Sequence, residues 1–320
     1  MHLPSLAELD AAAAVVYAAM PPTPQFSWPL LNAALGAQAW VKHENHTPTG
    51  AFKVRGGLVY MARLAQRDPG VKGVMSATRG NHGQSVAFGA ARHGLTATIV
   101  VPLGNSVEKN AAMRGLGAEL IEFGSDFQES REHAQRLAGE RGLHMVPSFH
   151  DDLVAGVASG WLELFRAQPD LDVVFVPIGQ GSSICGAIAA RHALGVATRI
   201  IGVVSLHAPA YKLSFHAGHG VHAPVSTVIA DGMACRVPDP TSLAAVIAHV
   251  DAIVAVSDEE VAAAMRLYYT CTHNVAEGAG AAALAAALQM KDSDLVRGRR
   301  IGLPLTGGNV DASLFRTVLS

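Results

Sequence analysis

The amino-acid sequence predicts an α/β fold: two open, twisted, mostly parallel sheets flanked by helices. Three observations predict it. Short apolar strands alternate with stretches of helical length and pattern, the signature of βαβ units. Half of the 320 residues are apolar and 16% are charged, which fits a well-buried globular chain. Glycine- and hydroxyl-bearing loops follow several strands, where open α/β sheets bind their ligands.

In chain order, residues 5–19 read as an amphipathic helix stopped by Pro21-Pro22. Pro29 to Gly36 reads as a connector and Ala39 to Lys42 as a strand. Val54 to Gln66 is the next helix, and Asp68-Pro69-Gly70 a turn. Gly73 to Ala77 is a short strand, Gln84 to His93 a helix, and Thr96 to Val101 a β-branched strand. Helices over 106–116 and 126–141 alternate with strands over 117–123 and 144–147. Then follow a helix over 154–168, a buried strand over 173–176, a loop over 179–186, a helix over 187–194 and a strand over 199–205. Residues 207–240 read as irregular. The chain closes with strand 251–256, helix 258–269, the alanine-rich helix 279–290 and strand 300–305.

Composition excludes several functions. A formal net charge of −2 argues against nucleic acid or an anionic membrane surface as partner. Cys185, Cys235 and Cys271 are few, odd in number and far apart, which suits a reducing compartment and gives no metal-ligand spacing. The alanine-rich start follows Glu8 and Asp10 and lacks the positive lead of a signal peptide. No apolar run reaches the ~18 residues of a membrane span. The expectation is a cytoplasmic protein with no metal site.

Four loops carry candidate chemistry. In Thr47 to Gly57, Pro48 and Gly50 turn the chain into a helix at Lys53. A lysine at a helix N-terminus, beside the aromatic Phe52, is either a solvated surface residue or a nucleophile of lowered pKa. From Ser76 to Gly83, the side chains of Ser76, Thr78 and Asn81 donate hydrogen bonds while Gly80 and Gly83 admit a ligand to the backbone. This is an anion loop or an ordinary capped turn. Gly179-Gln180-Gly181-Ser182-Ser183, between strand and helix, is a phosphate cradle or a tight turn, without the lysine of a Walker loop. Thr306-Gly307-Gly308-Asn309 ends the last strand with a neutral hydroxyl. Glu277 is either a helix-start acid or part of the same site. A lysine nucleophile, a phosphate cradle and an anion loop on separate strand ends are the parts a pyridoxal phosphate enzyme requires.

The chain resembles the threonine/serine dehydratase and serine racemase family of fold type II pyridoxal phosphate enzymes, built like the tryptophan synthase β chain. The resemblance runs from Thr23-Pro24 to Asn309. It is carried by Pro48 to Gly56, Gly80-Asn81-His82-Gly83-Gln84, Gly179-Gln180-Gly181-Ser182, Ala230-Asp231-Gly232 and Thr306-Gly307-Gly308-Asn309. It implies pyridoxal 5'-phosphate held in a Schiff base on Lys53, which then serves as base at the substrate Cα. Phe52 packs on the ring, Asn81 bonds the ring hydroxyl, Gly179, Gln180, Gly181, Ser182 and Ser183 take the phosphate, and Thr306 faces the pyridine nitrogen. Ser76, Thr78, Arg79, Gly80, Asn81 and His82 line the substrate carboxylate pocket, and Glu277 lies near the ring or the substrate. It also implies a large cofactor domain (1–73 and 149–320), a small mobile substrate domain (74–148) and a homodimer.

The chain departs from the family pattern at informative places. Gln180 and Ser182 interrupt a loop that is usually nearly all glycine. Arg79 stands before Gly80, where a small residue or the second base of a racemase is usual, and its pKa is too high for a base. Val204-Ser205-Leu206-His207 lacks the acid of family members that bind a divalent ion. The expected activity is therefore catabolic dehydration of a threonine- or serine-like β-hydroxy amino acid to a 2-oxo acid and ammonia. The alternatives are 3-hydroxyaspartate, through Arg79, phenylserine, an ectoine-derived hydroxy amino acid, or racemisation. His207, His216, His219 and His222 either shape the pocket or are surface residues.

Overall fold

The structure, a computed structural model, describes residues 3–320; the first two residues of the expected large domain lie outside them. Ser5 and Glu8 form a capping box on α1 (Leu6–Tyr17). The expected connector over 29–36 is in fact α2 (Pro29–Leu35), and β1 (Gln25–Ser27) before it was not foreseen. Pro29 opens that helix, where its missing N–H costs nothing, and Gly36 ends it at φ 62°. β2 (Gln38–His43) leads through a 3-10 turn to α3 (Lys53–Arg67).

β3 (Gly73–Ala77), α4 (Asn81–Ala91), β4 (Thr96–Val101), α5 (Val107–Gly115), β5 (Glu119–Glu122), α6 (Phe127–Arg141) and β6 (His144–Met145) follow. α4 begins at Asn81 rather than Gln84, so the anion-loop motif is its first turn. After α7 (Asp151–Ala167) and β7 (Val173–Pro177), α8 (Ser182–Leu194) likewise begins earlier than expected. Ser182 and Ser183 therefore belong to a helix start and not to a loop. β8 (Arg199–Ser205) precedes the segment read as irregular, which contains α9 (Ala210–Ala217) and a 3-10 turn at Asp231–Met233. α10 (Pro240–His249) was not foreseen; Asp239 caps it and Pro240 opens it. β9 (Ala252–Val256), α11 (Asp258–Thr272), α12 (Gly278–Gln289), β10 (Arg300–Leu305) and the unforeseen α13 (Ala312–Leu319) complete the chain.

The strands make a six-stranded sheet in the order β1-β2-β10-β7-β8-β9 and a four-stranded sheet in the order β5-β4-β3-β6. All neighbours are parallel except β1 on β2. The alanine-rich α12 is buried against the large sheet, its small side chains admitting the close packing.

α3 and α7 cross closely because each carries glycine at the crossing. A Cβ on Gly56 would stand 2.8 Å from the Leu153 carbonyl oxygen. Beside the crossing lies a buried ionic cluster. Arg55, with no exposed surface, donates from Nε to Glu44 Oε2 (2.7 Å) and from Nη1 to Glu163 Oε1 (2.7 Å) and Ser159 Oγ (2.9 Å). Lys42 Nζ lies 2.5 Å from Glu163 Oε2, and Thr23 Oγ1 donates to Glu44 Oε1 at 2.6 Å. Two cations and two carboxylates thus neutralise each other under the first turn of α3 and fix its position.

Arg55→Met should lower the unfolding free energy by about 3–5 kcal/mol, because it strands two buried carboxylates with one cation. Urea denaturation measures this, and a loss below about 1 kcal/mol would contradict the account.

Candidate active site

The carboxyl ends of the two sheets face one another across a cleft of about 650 Å³. The loop after β2 presents Lys53 at the start of α3. Gly50 (φ 68°) makes the turn possible, and a Cβ there would come within 2.5 Å of Asn309 Oδ1. The loop is tied to the end of β10: Phe52 N–H donates to Thr306 O at 3.0 Å, and Ala51 pairs with Gly307.

Lys53 Nζ stands 4.8 Å from the centroid of the Phe52 ring and has no hydrogen bond or ion pair among the described residues. It opens on the cleft floor, half-buried. Burial lowers its pKa from 10.5 to about 8, against the opposing pull of Glu277. An amine in this state is neutral in a large fraction of molecules near pH 8.

Lys109 of α5 lies in the same cleft under opposite electrostatics. Its ammonium, 7% exposed, sits 2.7 Å from Asp231 Oδ2 and 3.1 Å from Glu277 Oε2. Burial disfavours its charge, but the two carboxylates outweigh burial and raise its pKa. Burial pushes the Glu277 carboxyl up, and the Lys109 ammonium opposes it. Asn81 Nδ2 donates to Glu277 Oε1 at 2.5 Å, while Asn81 Oδ1 accepts from Asn309 Nδ2 at 2.9 Å. Asn309 also donates to Thr49 O at 2.8 Å. These amides orient one another from the ends of different strands.

The loop after β3 supplies Thr78, whose hydroxyl accepts from Gly80 N–H at 3.0 Å, and His82. Burial and the nearby Lys53 lower the His82 pKa to about 3, so its ring is neutral. The Pro147 carbonyl engages one side, and Nε2 is buried without a partner. Arg79 lines the cleft with no acid paired to it among the described residues.

The loop after β7 gives the helix α8 an uncapped start. Its N-cap is Gly181 at φ 100°, and no side chain bonds the first-turn N–H groups. The Gly181 backbone is pressed against Ser242, which leaves no room for a Cβ. Tyr211 donates to Gln180 O at 3.0 Å and braces the loop. Thr306 is 4% exposed and donates weakly to Ala279 O at 3.3 Å. Phe52, Lys53, Asn81, Gly179 to Ser183 and Thr306 line one continuous pocket. The pyridoxal phosphate implied by the sequence fits these residues. An anion-seeking helix start, an aromatic face, a neutral hydroxyl and a free amine converge on this one pocket.

Thr78, Arg79, Gly80, Asn81 and His82 line the adjoining cleft. Ser76 does not, and this corrects its assignment. It is fully buried in β3, and its hydroxyl donates to Val146 O at 3.1 Å. Sequence reasoning missed Lys109, Asp231 and Phe127. Asp231 was legible, because Ala230-Asp231-Gly232 carried the resemblance without a role attached. Nothing local distinguishes Lys109 from a surface lysine on α5.

Lys109→Met should cost about 3–5 kcal/mol of stability at pH 8, by leaving buried acid without its cation. A raised carboxyl pKa in the folded state stabilises as pH falls, so part of the loss should return towards pH 4. Denaturation from pH 8 to pH 4 reads both effects. A loss that does not change with pH would contradict the role of the pair.

Residues 16–307 match the family described as "Pyridoxal-phosphate dependent enzyme". The chain is 34% identical to the L-threonine ammonia-lyase of Thermotoga maritima, covering 91% of this chain and 72% of that one. It is 33% identical to the L-threo-3-hydroxyaspartate ammonia-lyase of Saccharomyces cerevisiae, covering 93% and 91% respectively. Its fold superposes on maize serine racemase with a TM-score of 0.92 at 27% identity, covering 99% of this chain and 97% of that one. Against the processed form of threonine deaminase isoform 2 from Solanum lycopersicum, the TM-score is 0.89 at 29% identity, covering 98% and 93%. The chain belongs to the pyridoxal-phosphate dependent enzyme family.

Proposed function

We propose that the protein dehydrates a threonine- or serine-like β-hydroxy amino acid to a 2-oxo acid and ammonia, with Lys53 as the catalytic base. The observation that carries this is the Lys53 amine: unpaired, pushed by burial to a pKa of about 8, and shared by the ring pocket and the anion loop. Bound pyridoxal phosphate supplies an electron sink that acidifies the substrate Cα–H.

The N–H groups at the start of α4, with Thr78 and Asn81, receive the substrate carboxylate and orient the Cα–H towards Lys53 Nζ. Lys53 removes that proton. The electron pair forms the Cα=Cβ bond, the Cβ–O bond breaks, and the departing hydroxide takes up the proton that Lys53 has accepted and leaves as water. The enamine product tautomerises and adds water, giving the 2-oxo acid and ammonia without net oxidation. The neutral His82 ring adds no charge beside Lys53, and Lys109 is held as an ammonium and does not compete as a base.

The unpaired guanidinium of Arg79 favours a second reading, a dicarboxylic substrate such as 3-hydroxyaspartate, whose second carboxylate it would hold bidentately. The same arginine speaks against two-base racemisation, since it cannot give up its proton. In this proposal residues 74–148 close over the substrate as a mobile unit, and the enzyme is a cytoplasmic homodimer in amino acid catabolism. The mobile unit, the homodimer and the catabolic role rest on the sequence resemblance, and the cytoplasmic placement on the few, scattered cysteines. No helix of the described residues is long and apolar enough to cross a membrane.

Lys53→Ala should lower 2-oxo acid release from threonine by about 10²–10⁴-fold or more. Turnover within about threefold of the unaltered enzyme would refute the assignment. In the unaltered apo-protein, the rate of pyridoxal phosphate capture should rise with pH up to about 8 and then level off. A rate still rising towards pH 10 would show an ordinary lysine.

A further inference from the structure

The reaction cleft continues past the catalytic groups. Arg79, Phe127, Gln180 and Ala234 form a neck, and beyond it lies an outer chamber partly open to water. Threonine carries only one methyl beyond its hydroxyl-bearing carbon.

Two of the neck residues, Arg79 and Gln180, are long and polar and carry hydrogen-bond donors. They come from different sheets, Arg79 between β3 and α4 and Gln180 between β7 and α8, yet they line the same opening. Two long polar side chains from opposite sides of the cleft therefore line one passage.

The groups around the passage have a definite chemistry. Arg79, and Arg131 on α6 further out, have no hydrogen bond or ion pair among the described residues. The chamber's acids are already engaged. Asp126 pairs with Arg236 at 3.0 Å, and Asp239 accepts from the N–H groups of Thr241 and Ser242 at 2.9 and 3.0 Å. The Gln180 amide donates only to Cys235 Sγ, at 3.6 Å, a weak acceptor that an oxygen would displace. At its neck the passage thus offers unused donors; among the described residues the one lining carboxylate without a cation, Asp239, lines the outer chamber and not the inner cleft. An ammonium there would meet like charge, whereas an oxygen acceptor would find partners.

We propose that the side chain of the preferred substrate runs beyond Cβ through this neck and ends in an accepting oxygen group, a carboxylate or an amide carbonyl, received by Arg79, Gln180 and Arg131. The proposal rests on the dehydratase reading and adds the substrate class to it. Arg79, Gln180 and Arg131 are its specificity residues.

The test supplies the cofactor-loaded enzyme with threonine, 3-hydroxynorvaline, 3-hydroxyglutamate and 3-hydroxyglutamine and measures 2-oxo acid release. At least one of the two acceptor-ended substrates should exceed both others in kcat/KM by about tenfold or more. Arg131→Ala should lower that substrate's advantage over threonine by about tenfold, through KM. Preference for 3-hydroxyglutamate identifies a carboxylate, and preference for 3-hydroxyglutamine identifies a carbonyl. Equal or better use of threonine or 3-hydroxynorvaline would overturn the proposal, as would an unchanged ratio in Arg131→Ala. Turnover of none of the four, nor of 3-hydroxyaspartate, would refute the dehydratase reading instead. Calorimetry on cofactor-loaded Lys53→Ala protein then decides the substrate class: binding of 3-hydroxyglutamate or 3-hydroxyglutamine about tenfold tighter than 3-hydroxynorvaline sustains it, and equal affinities overturn it.

Discussion

The ammonium of Lys109, shared between Asp231 and Glu277, is the interaction on which the rest of the cleft depends. It joins α5, beside the four-stranded sheet, to two acids from the opposite side of the cleft. It offsets charge on the acid that Asn81 must bond, and it leaves Lys53 as the amine without an ion-pair partner in the cleft. Burial acts on both lysines in the same sense. Lys53, with only the opposing pull of Glu277, loses basicity, whereas Lys109, with two close carboxylates, gains it. The protein thereby keeps one amine reactive and one charged in a single cavity. α5 is anchored by a further reciprocal pair: Asp311 accepts from Ser106 Oγ at 2.5 Å, and Glu108 accepts from Ala312 N–H at 2.8 Å.

The backbone supplies the remaining precision. Lys53 begins a helix whose next turn is fixed by the Arg55 cluster and by glycine contacts with α7, so the reactive amine grows from a rigid element. Gly50 lets Asn309 approach, Asn309 orients Asn81, and Asn81 meets Glu277. Three strand ends, those of β2, β3 and β10, and the start of α12 are thus registered by amide side chains and close glycine approaches, which a single Cβ would disturb.

The alternation of strands and helices was legible because parallel strands buried on both faces leave short apolar runs with little ambiguity. β4 and β8 begin and end where the sequence places them. α2, α10 and α13 were not legible. The first two start with Pro29 and Pro240, which sequence reasoning reads as breakers although Pro suits a first helical turn. The strand-end loops revealed most site residues through glycine and hydroxyl spacing. Ser76 was misplaced because alternation within β3 turns its hydroxyl to Val146 and away from the cleft. Lys109 was invisible because its partners lie more than a hundred residues away, and no local pattern encodes a contact of that range.

The central claim is that the cleft separates its two lysines by charge and that Lys53 alone holds the cofactor. The direct measurement is borohydride reduction of the pyridoxal-phosphate-loaded protein, followed by peptide mass spectrometry. The account predicts a pyridoxyl group on the peptide carrying Lys53 and none on that carrying Lys109. A label on Lys109, or an equal division between the two, would contradict it.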